Sequence, residues 1–234
     1  MLLKSLFVVF PNVRLRAHEI GRFRGFLNHQ IDWQNPLFHN HTEEPNGVIY
    51  RYPRIQYRMH RGRAALFGIQ DGFDALSQFL NTHLDNLPEA FWDIERAEQR
   101  TRLELTERPL AYTLHHWLGL NTIRNRDGSL LDLESVYDDL TDEAQQRAML
   151  QRILTAQVLK FCGDMGCRLP TGALQVSVEE VQETGLRTIR SQTGQTRLRS
   201  FQLQFTTNLP LPDHMALGKG VSKGYGWLVQ DKPR

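Results

Sequence analysis

What the sequence has little of narrows it first. The 234 residues contain two cysteines, Cys162 and Cys167. Two thiols cannot staple a secreted fold, and their spacing is not the CxxC of a redox or zinc site, so both read as thiols of a reducing cytoplasm. No stretch reaches the roughly 20 apolar residues that a membrane span needs, so no membrane association is expected. The opening run Met1–Phe10 is short, and Pro11, Asn12 and basic residues follow it without a small-residue cleavage site. It reads as a first strand and not as a signal peptide. With a cytoplasmic location expected, the sequon at Asn40 carries no glycan. Neither sign of charge dominates either: 28 Lys and Arg against 26 Asp and Glu leave a formal net charge of +2, so composition alone does not announce a polyanionic partner. The 40% hydrophobic and 23% charged residues are ordinary for a packed protein and argue against wholesale disorder. The length suits two domains of roughly 100–120 residues.

The near-neutral total conceals an uneven distribution. Arg51, Arg54, Arg58, Arg61 and Arg63 fall in a stretch to Gln70 without an acid. Arg187, Arg190, Arg197 and Arg199 fall in a second one, Leu186–Gln204. Between Asp127 and Glu143 runs an acidic segment without Lys or Arg. Basic tracts attract phosphate by counterion release and make binding salt-dependent, although a solvated charged face has the same composition.

Periodicity sets out the elements. Leu2–Phe10 is a compact apolar run and predicts a strand. Ala17–Ile31 places Ile20, Phe23, Leu27 and Ile31 on one helical face. Asp32–Asn46 reads as a loop, and Val48–Tyr57 and Ala64–Gln70 as strands. A helix then carries Phe73, Leu76, Phe79 and Leu80, and Ala90–Thr106 reads as a polar strand. The order is βαββαβ, the ferredoxin-like pattern. Beyond a boundary at Glu107–Pro109, Leu110–Leu120 predicts a strand. Leu133–Asp164 predicts a helix in two pieces, with Thr141 as N-cap and Ala144, Met149, Ile153, Ala156 and Leu159 inward. Leu174–Val178 reads as a strand, Leu186–Ile189 and Arg197–Phe205 as a hairpin, and Tyr225–Val229 as a last strand. The expected fold is therefore α+β: two tandem ferredoxin-like domains, residues 1–107 and 108–234, the second with its last helix replaced by a glycine-rich loop.

That loop holds Gly218, Lys219, Gly220, Ser222, Lys223, Gly224 and Gly226. Its glycines remove side-chain bulk, so backbone N–H groups can approach an anion. It lacks the spacing of a P-loop, and no helix follows as a dinucleotide fingerprint requires. A ligand-free glycine-rich turn is the commoner meaning of an isolated GxG. The two lysines and the basic hairpin before it turn the reading towards a sugar–phosphate chain. A second segment, Leu37–Thr42, contains His39 and His41. Imidazoles suit proton transfer near neutrality, so the pair can act as base and acid in RNA cleavage by a ribose 2′-OH. Metal chelation by the same pair lacks Cys or clustered acidic partners, and two hydrogen-bonding loop histidines are the bland alternative. Between Tyr50 and Arg58, arginines including Arg51 and Arg54 alternate with Tyr52 and Tyr57, as cations and rings for RNA or as an ordinary strand. His115 and His116 lie in a predicted strand and receive no catalytic role.

Taken together, Phe38–His41 followed by Tyr50–Pro53 and Ile55–Tyr57, Trp117–Asn121, Phe205–Pro210 and the glycine loop resemble the CRISPR-associated endoribonucleases that process repeat RNA, the paired-histidine branch of the RAMP superfamily. The resemblance implies tandem ferredoxin-like domains, a precursor CRISPR RNA as substrate and metal-independent cleavage within each repeat. It also implies a 2′,3′-cyclic phosphate or 3′-phosphate product. It assigns His39 and His41 as the catalytic pair, Tyr50 as an assisting group and the glycine loop as the RNA-backbone contact. No cofactor is implied. CRISPR repeat RNA is the expected partner, with other CRISPR effector proteins beside it, and the chain is expected as a monomer or homodimer. Phe161–Asp164 departs from the pattern, standing where relatives often carry a lysine-bearing stretch. Two rivals remain at this point: a non-catalytic RNA-binding subunit of a CRISPR effector or adaptation complex, which has no need of the histidine pair, and a small-molecule enzyme, for which no cofactor fingerprint is present.

Overall fold

The structure is a computed structural model and describes residues 1–30, 36–39, 51–124, 127–191 and 194–231. It divides into two compact units: Met1–Leu103 with Val221–Gly224, and Glu104–Gly220 with Tyr225–Arg234.

In the first unit, β1 (Leu2–Arg14), β2 (Ile55–His60), β3 (Arg63–Ile69) and β4 (Glu95–Arg102) form an antiparallel sheet ordered β2-β3-β1-β4. β1 lies inside the sheet and both its pleat faces are buried, which is why it reads as a continuous apolar run. Leu6, Val8 and Phe10 meet Ile20, Phe23 and Leu27 of α1 (Ile20–Gln30) and Leu76, Phe79 and Leu80 of α3 (Asp71–His83) in one core. The short α2 (Pro36–His39) joins that core through Phe38. β4 is an edge strand with mostly exposed side chains, which accounts for its polar sequence.

The second unit repeats the plan. β5 (Leu110–Trp117), β8 (Val176–Ser191), β9 (Gly194–Thr207) and β10 (Trp227–Gln230) form an antiparallel sheet ordered β10-β5-β9-β8. Counted within each unit, both sheets have the strand order 4-1-3-2. A small hairpin, β6 (Thr122–Arg124) with β7 (Leu130–Asp132), and α4 (Leu133–Asp138) precede the long α5 (Glu143–Asp164). Between β9 and β10, where the first unit has α3, the chain forms only loop and one 3-10 turn, Val221–Lys223. The fold is thus the expected pair of ferredoxin-like halves.

Several local expectations need correction. α5 is capped by Asp142, whose carboxylate accepts from Ala144 N at 2.9 Å, and not by Thr141. Met149 is buried as expected, together with Leu150, Leu154, Val158 and Phe161, while Ala144, Ala156 and Leu159 are exposed and Ile153 is half-buried. The helix carries two apolar stripes one residue apart, and the sheet it packs on chooses between them. Its Cys162 thiol is buried and pushed up to about 12 by desolvation, an inert group as expected. β2 begins at Ile55; Arg51–Arg54 lie outside the strand, and 48–50 lie outside the described residues. Pro53 has no N–H to give a ladder and restricts Tyr52 before it. β4 starts five residues later than predicted because Glu89–Phe91 winds into a 3-10 turn. The two predicted strands Leu174–Val178 and Leu186–Ile189 are one 16-residue strand, β8.

The Arg–Tyr alternation between Tyr50 and Arg58 is not a surface of stacking rings. Tyr52 is buried and its hydroxyl accepts from Gln56 Nε2 at 2.9 Å. Tyr57 is buried on the helix side of the sheet. Arg58 is buried on the other pleat, donating to Gln56 Oε1 at 2.9 Å, with its guanidinium 5.7 Å from the Phe7 ring centre and 5.5 Å from that of Phe67. Once β2 is a strand flanked by core, its alternation serves the interior.

Candidate nucleic-acid interface and catalytic residues

The glycine-rich loop is built by its own hydrogen bonds. Leu217 N donates to Gly226 O at 2.7 Å, Gly226 N to His116 O at 3.1 Å and Lys219 N to Leu118 O at 3.0 Å, so both ends are tied to the end of β5. Gly226 sits at φ 68°, and a Cβ there would enter the carbonyl oxygen of Leu217. Gly224 sits at φ 86°, where a Cβ would lie 2.6 Å from Ile20 Cδ1. At Gly218 and Gly220 the vacant space is taken by Trp117 and Tyr225. The glycines therefore serve the loop's own packing: at all four a Cβ would run into protein atoms. Lys219 points outward and is exposed.

The apex, Val221–Gly224, packs with the first unit. Arg24 of α1 donates from Nη1 to Ser222 Oγ at 3.5 Å, and its guanidinium lies 5.8 Å over the Tyr57 ring. The Tyr57 hydroxyl donates to Asn28 Oδ1 at 2.9 Å, with the Phe38 carbonyl as a longer second acceptor at 3.4 Å. Burial raises the Tyr57 pKa far above that of a free phenol and keeps its proton on. Lys223 is half-buried, and burial followed by the Arg24 charge lowers its pKa. Phe38 is buried against Phe79, with ring centres 5.8 Å apart. One chain of contacts, Ser222–Arg24–Tyr57–Phe38, thus runs from the loop apex to the residue preceding His39. His39 itself closes α2 with its backbone, whereas His41 and Tyr50 lie outside the described residues. Sequence reasoning gave Arg24 no role, and no spacing signal exists for it: Ser222 is 198 residues away in the chain.

The candidate arginines separate into two kinds. Arg54 Nε pairs with Asp71 Oδ1 at 3.1 Å, and its side chain is only 14% exposed. Arg199 faces three carboxylates, Asp138 at 2.8 Å, Glu134 at 3.6 Å and Glu183 at 3.8 Å, and lies 5.5 Å over the Tyr137 ring. Both are already matched by acids of the protein. Arg187, on β8, has the carbonyl of Leu186 as its hydrogen-bond acceptor, at 3.2 Å, and pairs with no carboxylate among the described residues. Arg197 is exposed on β9 opposite Thr188. Arg51 is half-buried, with Nε lacking a partner among the described residues. Arg190 is described through its backbone, opposite Gln195 in the hairpin.

Beside the loop, β5 breaks its register with β9 between Leu114 and Trp117. Within that irregularity His116 takes φ 50°, a left-handed conformation that costs a non-glycine residue about 1 kcal/mol. Its Nδ1 is buried without a hydrogen-bond partner among the described residues, a further cost of about 1 kcal/mol or more. Burial first, then the charges of Arg187 and His115, lower its pKa and keep the ring neutral near neutral pH. Tyr225 leans on Leu118, Ile189 and Leu198, a small buried cluster beneath the hairpin, and its ring edge lies against Gly220. His115 stacks on Trp227 with ring centres 4.1 Å apart, and its Nδ1 lies 3.1 Å from Gln202 Oε1.

Among the described residues no helix is long and apolar enough to cross a membrane. Comparison with known proteins then fits this architecture. The family model for the Cas6b N-terminal domain matches residues 1–99, and that for the Cas6b C-terminal domain matches residues 104–230. A solved structure described as Cas6b shares 21% identity and a TM-score of 0.78, over 99% of this chain and 100% of that one. A second, described as the CRISPR RNA processing endoribonuclease Cas6b, shares 20% identity and a TM-score of 0.69 over the same shares. A third, Csf5, described as a CRISPR-Cas type IV Cas6 crRNA endonuclease, shares 14% identity and a TM-score of 0.60, again over 99% and 100%. At such identities these likenesses speak for the fold. No curated protein sequence matches the chain significantly. The two family models meet at the junction between the structural units and together span almost the entire sequence: the chain belongs to the Cas6b family.

Proposed function

We propose that the chain is an endoribonuclease that binds CRISPR repeat RNA and cuts precursor CRISPR RNA within each repeat without a metal ion. The N-terminal half, residues 1–107, supplies the proton-transfer groups and the C-terminal half, residues 108–234, most of the backbone contacts. One of His39 and His41 takes the proton of a ribose 2′-OH. That oxygen attacks the adjacent phosphorus, the bond to the 5′ oxygen breaks, and the other imidazole returns a proton to the leaving oxygen. The products are a 2′,3′-cyclic phosphate or the 3′-phosphate formed from it, and a 5′-hydroxyl. Tyr50 assists, and the cations nearest the loop apex, Lys223 and Lys219, stabilise charge on the phosphoryl oxygens. Gly218, Gly220, Ser222, Gly224 and Gly226 shape the backbone that the RNA follows, and Arg51, Arg187, Arg190 and Arg197 extend the basic surface.

The observation that carries this reading is the contact chain Ser222–Arg24–Tyr57–Phe38 within the first unit. It ties the apex of the glycine-rich loop to the helix that ends at His39, which supports acid–base chemistry on a phosphodiester held by that loop. The test is incubation with the cognate repeat RNA in excess EDTA. Cleavage to a single pair of products, a cyclic or 3′-terminal phosphate, and its loss in the His39→Ala/His41→Ala double variant are expected. Full activity in that variant defeats the assignment of the histidines. Tight binding with the RNA recovered intact defeats the nuclease and leaves an RNA-binding subunit.

A further inference from the structure

Among the basic residues of the two tracts, Arg54 and Arg199 are matched by carboxylates and Arg58 is buried. One cluster in the second unit differs. Arg187 has no carboxylate partner among the described residues and acts electrostatically on two neighbours, His116 and Tyr225. Tyr225 is half-buried, its ring held from below by Leu118, Ile189 and Leu198 and at one edge by Gly220, so it is a rigid platform and not a free surface side chain. His116 is held in a left-handed conformation inside a strand irregularity, where Gly or Asn would sit with less strain, and keeps a buried ring nitrogen without a partner among the described residues. Its carbonyl receives the N–H of Gly226, so the strained residue and the glycine loop are one construction. A local conformation that costs energy, beside an unmatched cation and a supported ring, is the kind of place where a ligand completes the set.

We infer that Tyr225, Arg187 and His116 form a docking site for one nucleotide of the RNA, with its base stacked on the Tyr225 ring, a phosphate on Arg187 and a polar edge of the base or sugar on the imidazole of His116. The inference rests on the reading of the chain as an RNA-processing enzyme, and it adds a contact that reads a base to a loop otherwise suited only to the backbone. Aromatic stacking and a guanidinium are what single-stranded RNA recognition uses, and a neutral imidazole can donate and accept in the same site. The low pKa of His116, caused by burial and by Arg187, agrees with a neutral ring.

The test measures affinity for repeat RNA carrying 2′-O-methyl riboses, which removes the nucleophile, while unmodified RNA reports cleavage in parallel. Tyr225→Leu keeps the apolar packing and removes the stacking ring; affinity falls about tenfold, and Tyr225→Phe restores it. Arg187→Gln lowers the slope of log affinity against log salt by about one, and Arg187→Lys keeps the slope. His116→Gly relieves the backbone strain, so its melting temperature is equal to or above the wild type's while affinity falls about fivefold. A purely structural role for His116 predicts the reverse pairing, unchanged affinity with altered stability. Wild-type binding and cleavage with unchanged affinity in all three variants overturns the docking site and leaves the nuclease standing. Binding without cleavage, with the losses above, keeps the docking site and overturns the nuclease. Absence of binding by the wild type overturns both.

Discussion

The two faces of the β8–β9 ribbon carry arginines one rung apart, yet the two do different work. Arg199 pairs across the ladder with Leu186, and Arg187 with Leu198, so the side chains leave the ribbon on opposite faces. On one face Arg199 meets Asp138 and Glu134 of α4 and Glu183 of its own ribbon. On the other, Arg187 stands among Tyr225, His116 and the apolar pair Ile189 and Leu198. The first arginine pairs with two acids of the acidic run, Glu134 and Asp138. The second has no carboxylate partner among the described residues, which is why it enters the proposed nucleotide site. The small net charge of the whole chain is thus partly the sum of a satisfied face and an unsatisfied one. Counting arginines in a basic tract does not tell the two apart, because the difference lies in what α4 brings to one side only.

Four measurements break or sharpen that contrast. The largest effect on stability is expected from Arg199→Leu. It leaves three carboxylates facing one another over a guanidinium site only 20% exposed, and should destabilise the protein by about 2 kcal/mol and lower its melting temperature by roughly 6 °C, with RNA affinity within about twofold. A collapse of RNA affinity at unchanged stability would merge the two faces. Arg187→Ala is expected to do the opposite: about 1.4 kcal/mol, or tenfold, from RNA affinity by fluorescence anisotropy, with melting unchanged within about 1 °C. Asp138→Asn removes the closest acid on Arg199 and should raise RNA affinity about twofold at low salt, an effect that fades as salt screens it. A fall in affinity would mean that Arg199 must be held by its acids to let RNA bind. The smallest is a pH effect. Burial lowers the pKa values of His115 and His116 in the fold from the ordinary 6.5, so the unfolded chain binds more protons just below that pH. Stability is full above about 6.5 and is lost as the pH falls through the folded values. Urea midpoints should drop between pH 7.5 and 5.5, and His116→Asn should flatten part of that slope; an equal slope in the variant would locate the titration elsewhere.

Much of the fold was legible in the sequence. The repeated order of elements, the missing last helix of the second half and the existence of strand β1 all follow from hydrophobic period and from glycine and proline punctuation. The inward face of α5 was misjudged because its sequence supports two stripes, and only the sheet beneath selects Leu150, Leu154 and Val158. Tyr52, Tyr57 and Arg58 look like RNA-binding residues in a polar–aromatic alternation, but a strand flanked by core on both pleats turns Tyr57 and Arg58 inward, and Tyr52, ahead of that strand, is buried with its hydroxyl on Gln56. In the site, the glycine loop was legible as a place, and the structure adds a reason for its glycines that the sequence does not show: at Gly224 and Gly226 the absent side chain makes room for Ile20 and Leu217. His116 passed as an ordinary strand residue, since a left-handed φ within a β register leaves no trace in composition.

By itself the sequence determined the element order, the position of the glycine-rich loop near its end, the presence of paired imidazoles at His39 and His41 and the two basic tracts. These depend on local propensity and on which residue types exist to do chemistry, and neither needs a fold to be read. Only the tertiary structure decided which arginines already have acids, which rings are buried, how Arg24 and Tyr57 connect Ser222 to Phe38, and where the chain holds a histidine in a left-handed conformation inside a strand. Those are properties of pairs of residues far apart in the chain. An ion pair, a stacked ring or a forced dihedral exists only when folding has brought both partners to the same place.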